Sequence, residues 1–335
     1  MQYGIDYGMK KAVVVTEKGK TITLDDVSKK IEFVNSLNPE DAVYLEFGAG
    51  ADKFALSCVQ KDISVFRIPT TVFSSWRNGN DKKDDAKLML ELAQNTPELF
   101  YPVAAKDVDI LKIGLMLQKY YVVQDDIRKP AEQRLFLTMA DDLLVRGEPV
   151  ADLEKALRKQ IAEHPMFLGA IEEEKKIYKE MEKFIRKVPL YQAIFEPIKG
   201  VGPVIAGRIM YGIQDIRRFS TPAKLKNYSG YGFFEDGSAQ RRKKGEVFAC
   251  NKFLKQGVFL FTNQVNRGTN PEWKERLIQR KAFERSKFPE VVIKEIGGEK
   301  KKYFTDGHIH LKGCRYIGQK FLEYIWREWR RFEGI

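Results

Sequence analysis

Sulfur and imidazole are scarce in this chain. The three cysteines, Cys58, Cys250 and Cys314, are odd in number and far apart, and no CxxC pair occurs. Neither a disulfide framework nor a thiolate zinc site is indicated, and the usage fits a reducing cytoplasm. The three histidines are His164, His308 and His310. None lies near a candidate serine in sequence, which argues against a Ser–His–Asp hydrolase. His308 and His310, two apart in what reads as a strand or loop, have no third ligand nearby, and His164 reads as a surface residue. No apolar run approaches the ~20 residues of a membrane span. The opening MQYGIDYGMKKAVVV lacks a basic leader before an apolar core, so a soluble, unprocessed, cytoplasmic protein without a membrane partner is expected.

Acid is also scarce, but only in the second part. Residues 1–190 hold 29 Lys/Arg against 31 Asp/Glu, net −2, whereas residues 191–335 hold 29 against 15, net +14. A polyanion is the natural partner for that excess. No amphipathic segment with a clean apolar face carries these charges, so nucleic acid is favoured over a membrane surface. At 335 residues the chain has room for two domains and a connector. Its boundaries read as residues 1–150, 151–195 and 196–335.

The first of these is a carboxylate domain. YGIDYG and KKAVVVTEKGKTITL read as two β-runs and a turn, with Asp6 inside the first. A helix-like segment leads to DAVYLEFGAG, where Glu46 ends an apolar run before two glycines, and ISVFRIP makes a further strand. Acids at two strand ends of one sheet can converge. TTVFSSWRNGN then feeds DKKDDAKLMLELAQ, in which Asp81 forms an i,i+3 pair with Asp84 and an i,i+4 pair with Asp85. First-turn acids also arise for dipole reasons alone. Taken together, two strand acids and two helix acids suit hard divalent cations, and two such ions can stabilise both oxygens of a phosphodiester displacement. The span from Val108 to Val145 reads as helix interrupted at Pro130, with Asp125-Asp126 and Asp141-Asp142 on solvated faces.

Residues 151–195 are charged, with Ile171, Ile177, Met181 and Ile185 at helical spacings and Pro165 as a break between two helices. A helical hairpin, a coiled-coil arm between protomers and a plain spacer all fit. The last part opens with IKGVGPVIAGRI, where Gly200 and Gly202 precede a helix. Glycine turns of this kind present backbone N–H groups to phosphate, in the manner of a helix-hairpin-helix. Small-residue helix packing is the other reading. Ser238 follows in EDGSAQ, a turn-like segment, ahead of Arg241, Arg242, Lys243 and Lys244, a clamp for a scissile phosphate. A turn-forming serine is the alternative. The closing segment interleaves Trp326 and Trp329 with cations, which suits nucleic acid or a core helix.

Along essentially its full length the chain resembles the transposases of the insertion-sequence 110 family, RuvC-like recombinases directed by a bridge RNA. The residues that carry this are IDYG with Asp6, YLEFGAG with Glu46, the acidic helix start before Ala86, IKGVGPVIAGRI, RRFSTPAKLKNYSGYG and GSAQRRKKG. The resemblance implies an α/β ribonuclease H-like (RuvC-like) first domain, a helical coiled-coil connector and a mainly helical serine-containing domain. It also implies Mg²⁺, two ions, on the acids; Ser238 as nucleophile; and acids and serine meeting between protomers of a dimer or tetramer. The partners would be donor and target DNA and a structured guide RNA. Ser229 falls at a small-residue position of the pattern and reads as structural. Two departures stand out. Ala239 replaces the glycine usual after the serine. The pattern D-x-x-D-A is split: Asp81 and Asp84 keep its spacing, Asp85-Ala86 keeps its last dipeptide, and the following LMLELA favours Asp85 as ligand. A RuvC-type nuclease in which water attacks, and a non-catalytic nucleic-acid scaffold, are the competing functions.

Overall fold

The structure, a computed structural model, describes residues 1–8, 10–77, 84–147, 150–234, 237–240, 250–296 and 299–335. Asp81 and the run Arg241–Lys244 lie outside these. The chain divides into two compact units, Met1–Leu115 and Met116–Ile335.

Strong alternation builds the first unit. Strands β1 (Gln2–Tyr7), β2 (Ala12–Thr16) and β3 (Thr21–Leu24) form an antiparallel meander. Helix α1 (Val27–Ser36), N-capped by Asp26 accepting from the Lys29 amide, crosses to β4 (Ala42–Glu46), and α2 (Ala49–Val59) leads to β5 (Ser64–Ile68). β1, β4 and β5 are parallel neighbours. After α3 (Thr70–Trp76) and α4 (Asp85–Asn95), the short β6 (Tyr101–Pro102) closes an order β3-β2-β1-β4-β5-β6. Both faces are covered. Ile5, Val14, Val43, Leu45 and Val65 pack on Phe33, Phe54 and Cys58, while Tyr44, Val15 and Ile68 pack on Phe73, Ala86, Met89 and Leu90. Successive strand residues thus alternate between two cores. α4 lies directly on β1, for a Cβ on Gly4 would run into the Ala86 carbonyl oxygen and within 3.0 Å of Leu90 Cβ.

Helix α5 (Ala105–Tyr121) continues through a π-helical run, Val122–Arg128, into α6 (Lys129–Arg146). The helical path therefore does not break at Pro130, as the sequence led us to expect. Proline sits in the first turn of α6, where its missing N–H is tolerated, and the wider π-turn ahead of it takes up the displaced bonding. Asp125, Asp126, Asp141 and Asp142 are exposed. Pro165 does separate α7 (Val150–Glu163) from α8 (Pro165–Ile185), with the His164 ring nitrogen accepting from the Met166 amide as N-cap. Ile177, Met181 and Ile185 are buried inside this unit.

The remainder is mainly helical: α9 (Pro203–Ile213), α10 (Pro222–Tyr228), α11 (Lys252–Arg267), α12 (Pro271–Lys287) and α13 (Asp306–Glu333), with an antiparallel pair β7 (Val292–Ile296) and β8 (Glu299–Tyr303) between the last two helices. α9 and α11 cross closely at glycines, since a Cβ on Gly257 would sit 2.8 Å from Ile209 Cγ1. Phe261 and Phe321 stack with centroids 3.8 Å apart beside Trp273. Trp329 is fully buried and the half-buried Trp326 donates from its indole to the Phe219 carbonyl at 2.7 Å, so both tryptophans of α13 pack within the fold. His308 and His310 lie in the first turns of α13, not in a strand or loop, because Thr305 caps the helix ahead of them. Among the described residues no helix is long and apolar enough to cross a membrane.

Candidate active site

Register places the strand acids together. Ile5 pairs with Leu45 across parallel β1 and β4, so Asp6 and Glu46 each stand one step further on, at the carboxyl ends of adjacent strands. Gly4 faces α4, and Tyr44 packs in the core that α4 covers; with a period of two, Asp6 and Glu46 share that face. The first residue of α4 is Asp85, which is 5% exposed. Three acids from separate segments thereby reach one end of one sheet face.

Glu46 and Asp85 meet on a cation that sequence reasoning overlooked. The Arg77 guanidinium donates from Nε to Asp85 Oδ1 at 3.0 Å, and its Nη2 lies 2.7 Å from Asp85 Oδ2 and 3.3 Å from Glu46 Oε2. Its plane rests over the buried Phe73 ring, 4.7 Å from the centroid. A signal was available: Arg67 and Arg77 are the only arginines in the first 115 residues. A buried carboxylate needs such a partner. Arg67 has the matching structural role, pairing with the fully buried Asp52 at 3.2 Å. Asp84 is exposed and lines a groove with Val13, Glu17 and Lys87. Among the described residues no group of three or more His, Cys, Asp or Glu is spaced to hold a metal ion, and Asp81 falls outside them. The donor chemistry of Glu46 and Asp85 nevertheless suits a hard divalent cation, and one already-charged group, Arg77, stands between them.

Ser238 is exposed on the returning limb of a tight loop. The Phe234 amide donates to the Ser238 carbonyl at 2.8 Å, Gly237 adopts φ +74°, and Phe233 bridges to Ala239. The left-handed Gly237 admits the reversal that turns Ser238 outward. The base of the loop is fastened to α13. Arg315 donates to the Gly232 carbonyl, and Gln319 to the Tyr231 carbonyl at 2.7 Å. Burial lowers the Arg315 pKa and raises that of Tyr231, on whose ring Arg315 rests at 5.7 Å. Ser229, by contrast, is fully buried, and its hydroxyl donates to the Lys226 carbonyl at the end of α10. The described contacts of the three histidines lie elsewhere: His164 caps α8, His308 is beside Tyr303, and His310 is beside Cys314.

Gly200 has φ +88°, and a Cβ there would lie 2.6 Å from Thr269 Oγ1, so it is required by packing of the turn before α9. Gly202 is the N-cap of α9 and leaves that helix end without a side-chain cap. A groove beside it is lined by Lys199, Arg186, Gln264 and Glu196.

The second unit thus holds both a serine on a braced loop and an uncapped helix start, in the part of the chain that carries the basic excess. Residues 192–277 match the model of the transposase family described as Transposase IS116/IS110/IS902 family. That match, from the π-helical stretch Tyr191–Phe195 to the middle of α12, supports an insertion-sequence 110 family transposase. No curated protein matches the chain.

Proposed function

We propose that the protein is a DNA transposase that cleaves and rejoins strands through Ser238. The observation that carries this is the transposase-domain match over residues 192–277, which brackets the Ser238 loop. Ser238 Oγ attacks the scissile phosphorus, an Oγ–P bond forms, the ester bond to the departing strand breaks, and that strand leaves as a hydroxyl. Attack of a strand hydroxyl on the phosphoserine reverses the step and frees the serine, so the bond energy is retained for rejoining. Its exposure suits Ser238 to meet a duplex, and the Arg315 and Gln319 bonds fix its loop before substrate arrives. Arg241, Arg242, Lys243 and Lys244 follow in sequence as phosphate ligands, and Gly202 offers the amides of α9.

The first unit is read as ribonuclease H-like from its meander followed by parallel β4 and β5, with Asp6, Glu46, Asp81 and Asp85 holding Mg²⁺. When bound, that ion supplies charge stabilisation for the oxygens of the displacement. A structured guide RNA and pairing of protomers complete the reading; Leu137, Leu144 and Val145, exposed on α6, offer apolar surface for the latter.

With end-labelled element DNA and Mg²⁺, denaturation should leave label covalently on the wild-type protein and none on Ser238→Ala. An adduct that survives Ser238→Ala rejects the serine. Cleavage kept by Ser238→Ala but lost in Asp6→Ala shows a water-using nuclease instead, and cleavage by neither wild type nor variants shows a binding scaffold.

A further inference from the structure

The geometry points to Arg77 as a resident counter-cation that competes with the divalent ion for Glu46 and Asp85. This inference rests on reading these carboxylates as a metal site. One nitrogen, Nη2, reaches both side chains, at 2.7 Å from Asp85 Oδ2 and 3.3 Å from Glu46 Oε2, so it marks where a single positive charge meets both groups. The fork is completed by Nε on Asp85 Oδ1 at 3.0 Å. An ion that bridges Asp85 Oδ2 and Glu46 Oε2 at the shorter distance of roughly 2.0–2.1 Å takes the place of Nη2, and two cations cannot stand there together. A bridging ion and the Nη2 pairs therefore exclude one another.

The pairing also has a clear purpose without metal. Asp85 is almost fully buried, and an unpartnered charge there is costly. Arg77 keeps α4 seated on the sheet until an ion replaces it. Because Arg77 is about a quarter exposed and ends α3, its side chain has solvent into which to withdraw. The apparent metal affinity is then the intrinsic affinity reduced by the cost of expelling Arg77.

Mg²⁺ and Mn²⁺ are titrated calorimetrically into the full chain without DNA, and thermal melts are recorded with and without 10 mM Mg²⁺, an excess of about the order used in linkage experiments. Arg77→Gln should bind either ion at least about tenfold more tightly than wild type. Its metal-free melting temperature should fall, and Mg²⁺ should close much of that gap. Arg77→Lys keeps the charge without the fork and should lie between, which serves if the glutamine variant does not fold. Adding Glu46→Gln to Arg77→Gln should abolish the gain. Affinity in Arg77→Gln equal to or weaker than wild type overturns the competition, as does a gain that survives Glu46→Gln or, where only the lysine variant folds, an unchanged affinity in it. Absence of binding in every variant overturns it together with the metal site, a result distinct from equal binding.

Discussion

At the scale of single residues, the site depends on positions whose chemistry is negative. Gly4 has no role except to let α4 approach, yet Asp85 is where it is because the Ala86 carbonyl rests over Gly4. Gly4→Ala should cost about 1–3 kcal/mol by overpacking. Thermal unfolding measures this, and an unchanged melting temperature would show that α4 can shift freely. The acids were readable because a strand-end carboxylate before glycine is conspicuous. Arg77 was not, since its meaning comes from two partners 31 and 8 residues away that only folding brings within reach. The Asp84/Asp85 ambiguity has a physical basis too: adjacent helix-start residues look alike in sequence, while burial separates them by placing Asp85 against the core and Asp84 in solvent.

Among elements, the pairing of α12 with α13 titrates. Burial pushes the Glu284 carboxyl up, but the Lys312 ammonium at 3.2 Å and Arg280 outweigh it and hold the group below its ordinary value of 4.5. A lowered folded pKa gives stability that is present above the unfolded value and lost as pH falls through the folded one. Glu284→Gln should thus destabilise by about 2 kcal/mol at pH 7 and by progressively less below pH 4.5. Urea unfolding at pH 7 and at about pH 3.5 tests this, and a constant difference would reject the charge as its source. Helices with caps and periodic faces were legible from sequence. The β7–β8 pair has no counterpart in the sequence analysis, although Gly297-Gly298 stands between a β-branched run and a Lys-rich one, because charges on both sides blur the alternation. The histidines at 308 and 310 were misplaced for want of the Thr305 cap signal.

For the molecule as a whole, charge separates along the chain: residues 191–335 carry net +14 and residues 1–190 net −2. Binding to DNA or RNA should weaken steeply with salt. Replacing Arg241, Arg242, Lys243 and Lys244 by alanine should flatten the slope of log K against log salt by about 3–4 if each meets a phosphate. A slope unchanged in a filter-binding series would place those cations off the nucleic acid. Composition made this polarity legible. It gave no hint of how the serine is held, which depends on contacts across 83 and 88 residues, Arg315 to Gly232 and Gln319 to Tyr231.

Those two bonds carry a practical consequence. The segment that matches the transposase family ends at residue 277, whereas the groups that brace the Ser238 loop sit on α13, beyond it. A fragment trimmed to the matched segment keeps Ser238 and forfeits the bracket that holds its loop. The same holds for a copy of the gene cut short between the codons of Ser238 and Arg315: the serine codon is intact, and the loop that carries it loses both bonds.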